Sequence, residues 1–135
     1  VYSATKAAIR SFARNWIVDL KDRRILGEEG FISVVVVVDS VTGKVAEARC
    51  DAAGIVLNKN AIPLDPQPAS VASGIRVGSP SVTTQGMRET DMKEIASLIG
   101  TAIRDTDGDR TAEVNTAVRE LVGAHPAYAE PARAV

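Results

Sequence analysis

Ser73-Gly74-Ile75-Arg76-Val77-Gly78-Ser79-Pro80, preceded by Asn58-Lys59-Asn60-Ala61-Ile62-Pro63, sets one arginine inside a short apolar strand over residues 72–77. The stretch between them, residues 61–71, holds Pro63, Pro66 and Pro68. Each proline fixes its own φ and restricts the residue before it, so this stretch is an extended loop. A guanidinium among apolar residues needs a partner, because burying its charge alone is costly. A carboxylate ligand suits it, since the planar fork donates two parallel hydrogen bonds.

Phe31 through Val38 is rich in β-branched residues with no alternation, the pattern of a strand covered on both faces. Thr42 is an N-cap for a helix over residues 44–53, and Gly54 fits the position just past its end. Ile55-Val56-Leu57 reads as a short strand. Met92, Ile95, Ala96, Ile99 and Ile103 stripe one face of a helix over about 90–104, with Asp91 and Glu94 in its early turns. Val114, Val118, Leu121 and Val122 stripe another over 110–123, closed by Gly123 and Pro126. At the front, Ile9, Phe12, Ala13, Trp16, Ile17 and Leu20 recur at helical spacing over 3–22, and Gly27 and Gly30 turn the chain. These elements predict an α/β, more closely a two-layer α+β, domain: a small sheet of short strands covered mainly on one face by helices.

Sixteen Lys and Arg against 17 Asp and Glu, with 4% aromatics, leave no basic footprint and no stacking platform for nucleic acid. No apolar run is long enough to span a membrane. Cys50 is the only cysteine, so an intrachain disulfide is impossible and a reducing, cytoplasmic compartment is expected. Its Ala-rich surroundings make it a small core residue. The sequence opens on Val1 and not on methionine, which fits a fragment, a processed product or an incomplete reading frame.

Ordered markers run through most of the chain: Val41-Thr42-Gly43-Lys44, Ala46-Glu47-Ala48-Arg49, Asn58-Lys59-Asn60, Asp65-Pro66, Ser73-Gly74-Ile75-Arg76-Val77-Gly78, Val82-Thr83-Thr84, Gly86 and His125-Pro126-Ala127-Tyr128-Ala129. Together they closely resemble the C-terminal domain of serine hydroxymethyltransferase over about residues 41–129. That family interconverts serine and glycine with pyridoxal phosphate (PLP) and tetrahydrofolate. The resemblance implies the small domain of a fold-type I PLP enzyme, working with a large PLP-binding domain in a homo-oligomer. It implies that Arg76 binds the amino acid's carboxylate and that Asn60 lies near the folate pterin ring. An arginine paired with Asp65 or another acid to close the loop is the structural alternative for Arg76, and capping the following turn is the alternative for Asn60. The family's Schiff-base lysine belongs to a Thr-rich segment after a histidine. These residues hold no such segment, so no internal Schiff base and no activity of the chain alone are expected.

Tyr2 and Lys6 stand at i and i+4 in Val1-Tyr2-Ser3-Ala4-Thr5-Lys6-Ala7-Ala8. On a helix they share a face, where a lysine lowers the phenol's pKa for proton transfer. With Phe12-Ala13-Arg14 and Val18-Asp19-Leu20, residues 1–25 resemble the catalytic helix of short-chain dehydrogenases/reductases. The chain thus reads as a chimera: residues 1–30 of reductase-like origin, 31–129 of hydroxymethyltransferase-like origin, and 130–135 a tail. The Gly-rich dinucleotide turn and the partner serine of the reductases do not occur, so Tyr2 and Lys6 read as vestigial. A reductase-derived oxidoreductase fragment and a non-catalytic chimeric domain are the other functional readings. His125, the only histidine, reads as a surface or capping residue. Asp105-Thr106-Asp107-Gly108-Asp109 reads as a solvated turn, since its glycine is misplaced for a calcium loop and Thr116 stands at the twelfth position. No metal site is expected.

Overall fold

The computed structural model describes residues 25–26, 33–38 and 40–128. Among them, four strands form one antiparallel sheet in the order β1-β2-β4-β3. These are β1 (Ile25–Leu26), β2 (Ser33–Val37), β3 (Asn58–Asn60) and β4 (Gly74–Gly78). The helices are α1 (Gly43–Ala52), α2 (Pro80–Thr84), α3 (Glu89–Arg104) and α4 (Thr111–Ala124). The result is a two-layer α/β fold.

Local chemistry explains the helix ends. Thr42 caps α1, its Oγ1 accepting from the Val45 amide at 3.4 Å. Gly54 adopts φ +82° just past α1, and the Ile55 amide then reaches back to the Cys50 carbonyl at 2.8 Å. At the start of α3, Asp91 Oδ2 accepts from the Arg88 amide at 2.6 Å. The Asp105 carboxylate fastens the turn into α4, accepting from the Gly108 and Arg110 amides and from the Thr111 hydroxyl, each at 3.1 Å. That acid of the aspartate-rich turn is therefore occupied by its own backbone. Arg49 of α1 donates through Nη1 to the Ile103 carbonyl, satisfying one of the open carbonyls at the C-terminal end of α3.

Among the described residues, the core lies on one side of the sheet. Val36, Val38, Ile75 and Val77 meet Ala46 and Cys50 of α1, Met92, Ala96, Ile99 and Ile103 of α3, and Val114 of α4. Each large side chain buried this way contributes about 1.5–3 kcal/mol. Cys50 is fully buried, and burial pushes its thiol pKa up to about 12, so it is an unreactive core residue.

Three elements differ from the sequence expectation. The strand expected at 55–57 lies at Asn58–Asn60. Ile55 and Leu57 turn toward the core and Val56 points outward at 90% exposure, but pairing with β4 starts only at Asn58. Apolarity marks where the chain enters the core, whereas the ladder marks the strand. The short α2 was not expected; Pro80 opens it, with a φ already suited to a first helical position. β1 was also not expected and pairs with β2 through Ile25↔Val36 and Leu26↔Val35. The helix expected over 3–22 lies outside the described residues.

Candidate functional site

The strand alternation of β4 is visible in its burial: Ile75 and Val77 are buried and Arg76 is exposed. Arg76 therefore stands on the sheet face away from the core. Register determines what stands beside it. Arg76 pairs with Val35 of β2 on one side and with Asn58 of β3 on the other, so all three share that face. Asn60, two residues along β3 and paired with Gly74, shares it too. The two residues singled out in the sequence, Arg76 and Asn60, are thus brought to one surface, with half-buried Val35 and Val37 flanking them. Asn58, not singled out by itself, stands directly across from Arg76. The signal for it was present, since two asparagines at i and i+2 in a strand point the same way.

Lys59, between the asparagines, faces the other side. Its ammonium lies 3.0 Å from Glu47 Oε2 on α1, and its amide donates to Glu47 Oε1 at 3.0 Å. These hydrogen bonds, the backbone one first, hold the Glu47 carboxyl below the usual carboxylate range. They also occupy a strand N–H that does not go to β4.

Asp65 does not need the guanidinium to close its loop. Its carboxylate takes four hydrogen bonds from the Ile62, Gln67 and Ser73 amides and the Ser73 hydroxyl. The Ser73 hydroxyl is the largest cause holding its carboxyl well below the usual range. Gly74 is required where β3 and β4 meet: a Cβ there would lie 2.9 Å from the Asn60 carbonyl and 3.1 Å from that of Val36. The Asn60 amide donates to the Ala61 carbonyl at 2.7 Å, a local contact of the turn-capping kind, leaving its oxygen and a second N–H. His125 closes α4, with Nε2 3.8 Å from Asp91 Oδ2, far along the chain from β3 and β4.

A cavity of about 250 Å³ opens on the core side of the sheet, among Leu57, Val77, Met87, Leu98, Ile99 and Leu121. Apart from Ser81 its lining is apolar, and it holds no titratable side chain, whereas Arg76, Asn58 and Asn60 lie on the opposite face. No group of His, Cys, Asp and Glu among the described residues is arranged to hold a metal ion. No described helix is long and apolar enough to cross a membrane.

The family model described as serine hydroxymethyltransferase matches residues 19–99. The chain belongs to the serine hydroxymethyltransferase family. The match spans the whole sheet, α1, α2 and most of α3, and includes Glu47, Asn58, Asn60, Asp65 and Arg76. It starts upstream of Val41, so residues 19–25 fall within it as well as within the reductase-like stretch. Tyr2 and Lys6 lie outside both the match and the described residues. A serine hydroxymethyltransferase of Myxococcus xanthus (strain DK1622) is 47% identical over 90 residues. One of Methanosarcina barkeri (strain Fusaro / DSM 804) is 43% identical over 90 residues. Each alignment covers 66% of this chain and 22% of the relative, so the chain spans a small part of the length of these enzymes.

Proposed function

We propose that residues 31–129 act as the small C-terminal domain of a serine hydroxymethyltransferase, with residues 1–30 leading into it and 130–135 as a tail. In this reading the face carrying Arg76 closes against a large PLP-binding domain, in a homo-oligomer of the cytoplasm. Arg76 grips the carboxylate of serine or glycine with its two-pronged fork. Asn60, with Asn58 beside it, presents amide donors and acceptors to the heteroaromatic edge of tetrahydrofolate. The observation that carries the reading is the register that sets Asn58 and Asn60 on the same face as Arg76, in a chain of this family.

The described residues do not fit PLP by themselves. Lys59 is engaged by Glu47, Lys44 and Lys93 stand exposed on helices, and none of the three lines the apolar cavity. The proposed division of labour is therefore that this domain binds and orients the amino acid while other residues of the enzyme hold the cofactor, which supplies the electron sink. Tyr2 and Lys6 are assigned no part in that chemistry.

A hybrid tests this: the Myxococcus xanthus enzyme carrying residues 31–129 in place of its own matching segment, compared with the present chain alone. The hybrid should interconvert serine and glycine with tetrahydrofolate. The chain alone, mixed with PLP, should give neither turnover nor a saturable visible-absorbing adduct. A folded hybrid without activity contradicts the domain assignment. A saturable adduct of the chain alone, abolished by one lysine substitution, contradicts the division of labour.

A further inference from the structure

β3 is short and polar on both faces, the kind of strand whose register is weakly specified by burial. A slip of one residue would send Asn58 and Asn60 to the core side and Lys59 to the face of Arg76. The long, proline-rich loop to β4 does not by itself prevent such a slip, because closure entropy depends only slowly on where a loop ends.

One side chain spans that loop. Asp65 Oδ2 accepts from the Ile62 amide at 3.1 Å, just past β3, and from the Ser73 amide at 2.9 Å, immediately before β4. Oδ1 accepts from the Gln67 amide at 2.9 Å and from the Ser73 hydroxyl at 2.6 Å. Both ends of the loop therefore converge on one carboxylate. Ser73 in turn is anchored to the sheet, its carbonyl accepting from the Val38 amide at 2.9 Å. The backbone around these points is strained: Leu64 at φ 57° adjoins Asp65, and Ala72 at φ 56° adjoins Ser73. Left-handed backbone at a non-glycine residue is unfavourable and persists where its surroundings over-determine it. Leu64 is fully exposed, so no burial of its side chain offsets that cost.

We propose that Asp65 is a positioning residue that sets the register of β3 against β4 and thereby holds Asn58 and Asn60 beside Arg76. The functional meaning of this clamp rests on the reading of that face as the substrate side, whereas the clamp itself can be tested without any ligand.

The test is NMR on the full chain with Asp65→Asn and Ser73→Ala. The amide replaces one acceptor oxygen with a donor facing N–H and O–H donors, and the alanine removes only the hydroxyl hydrogen bond. In Asp65→Asn, hydrogen exchange of the amides shared by β3 and β4 should accelerate about tenfold, with Ile99 and Ile103 in α3 unchanged. The side-chain signals of Asn58, Asn60 and the Arg76 Nε–H should shift with it, which a purely local loop staple would not cause. Ser73→Ala should show the same pattern at about threefold, and it decides alone if Asp65→Asn does not fold. Unchanged β3–β4 protection and an unmoved Arg76 signal in a folded variant overturn the proposal and leave Glu47 as what holds the strand. So does a loss spread evenly over the chain. Intact clamping together with failure of the hybrid enzyme would fault the substrate reading and not the clamp.

Discussion

Single residues carry much of what makes this fold specific. Gly43, at the first turn of α1, lies against β4, and a Cβ there would collide with the Gly74 carbonyl oxygen. That atom is backbone and cannot swing away, so Gly43→Ala should cost about 1–3 kcal/mol in urea unfolding. Gly123 in α4 is the contrast: a Cβ there meets nothing within 4 Å, so Gly123→Ala should be neutral or stabilise by up to about 1 kcal/mol. A destabilised Gly123→Ala or a neutral Gly43→Ala would contradict these contacts. At this scale the sequence was informative where chemistry is local. Thr42 as cap, Gly54 as terminator and Cys50 as a core residue followed from capping and burial rules. The partner of Asp65 did not, because its four donors come from three places in a loop whose path no propensity specifies.

At the scale of elements, the helices were legible because each has an apolar stripe. Met92, Ala96, Ile99 and Ile103 were read at helical spacing and are buried along α3. Ile99→Ala should therefore cost about 2–5 kcal/mol, as for other large core truncations, seen as a lower urea midpoint. β3 was not legible, since Asn58-Lys59-Asn60 has no apolar residue and is a strand only by virtue of its neighbour β4. Two carboxylates hold it, Glu47 from the helix side and Asp65 from the loop, and both have pKa values depressed by their hydrogen bonds. A depressed carboxyl stabilises the fold above its unfolded pKa, about 4, and that contribution is lost as pH falls toward the folded value. Stability should thus decline as pH drops below about 5, and less steeply in Glu47→Gln and Asp65→Asn. Urea titrations at several pH values check this, and parallel pH profiles for wild type and variants would contradict it.

For the whole molecule, the organising fact is a sheet with two unlike faces. One carries the core that joins β2 and β4 to α1, α3 and α4, and the other carries Arg76, Asn58 and Asn60. Family membership was readable from ordered motifs, and so was the pairing of an arginine with an apolar strand. What the motifs could not convey was the cross-strand register, because Asn58 and Arg76 are distant in sequence and meet only through antiparallel pairing. The central claim is that this face receives the carboxylate of an amino acid through Arg76. Its most direct test is the equilibrium affinity for glycine of the hybrid enzyme with Arg76 and with Arg76→Lys. Lysine keeps the charge and loses the fork, so affinity should fall by about 2–4 kcal/mol while the fold and cofactor content stay the same. Equal glycine affinity in the two enzymes would mean that Arg76 serves only the structure of the sheet.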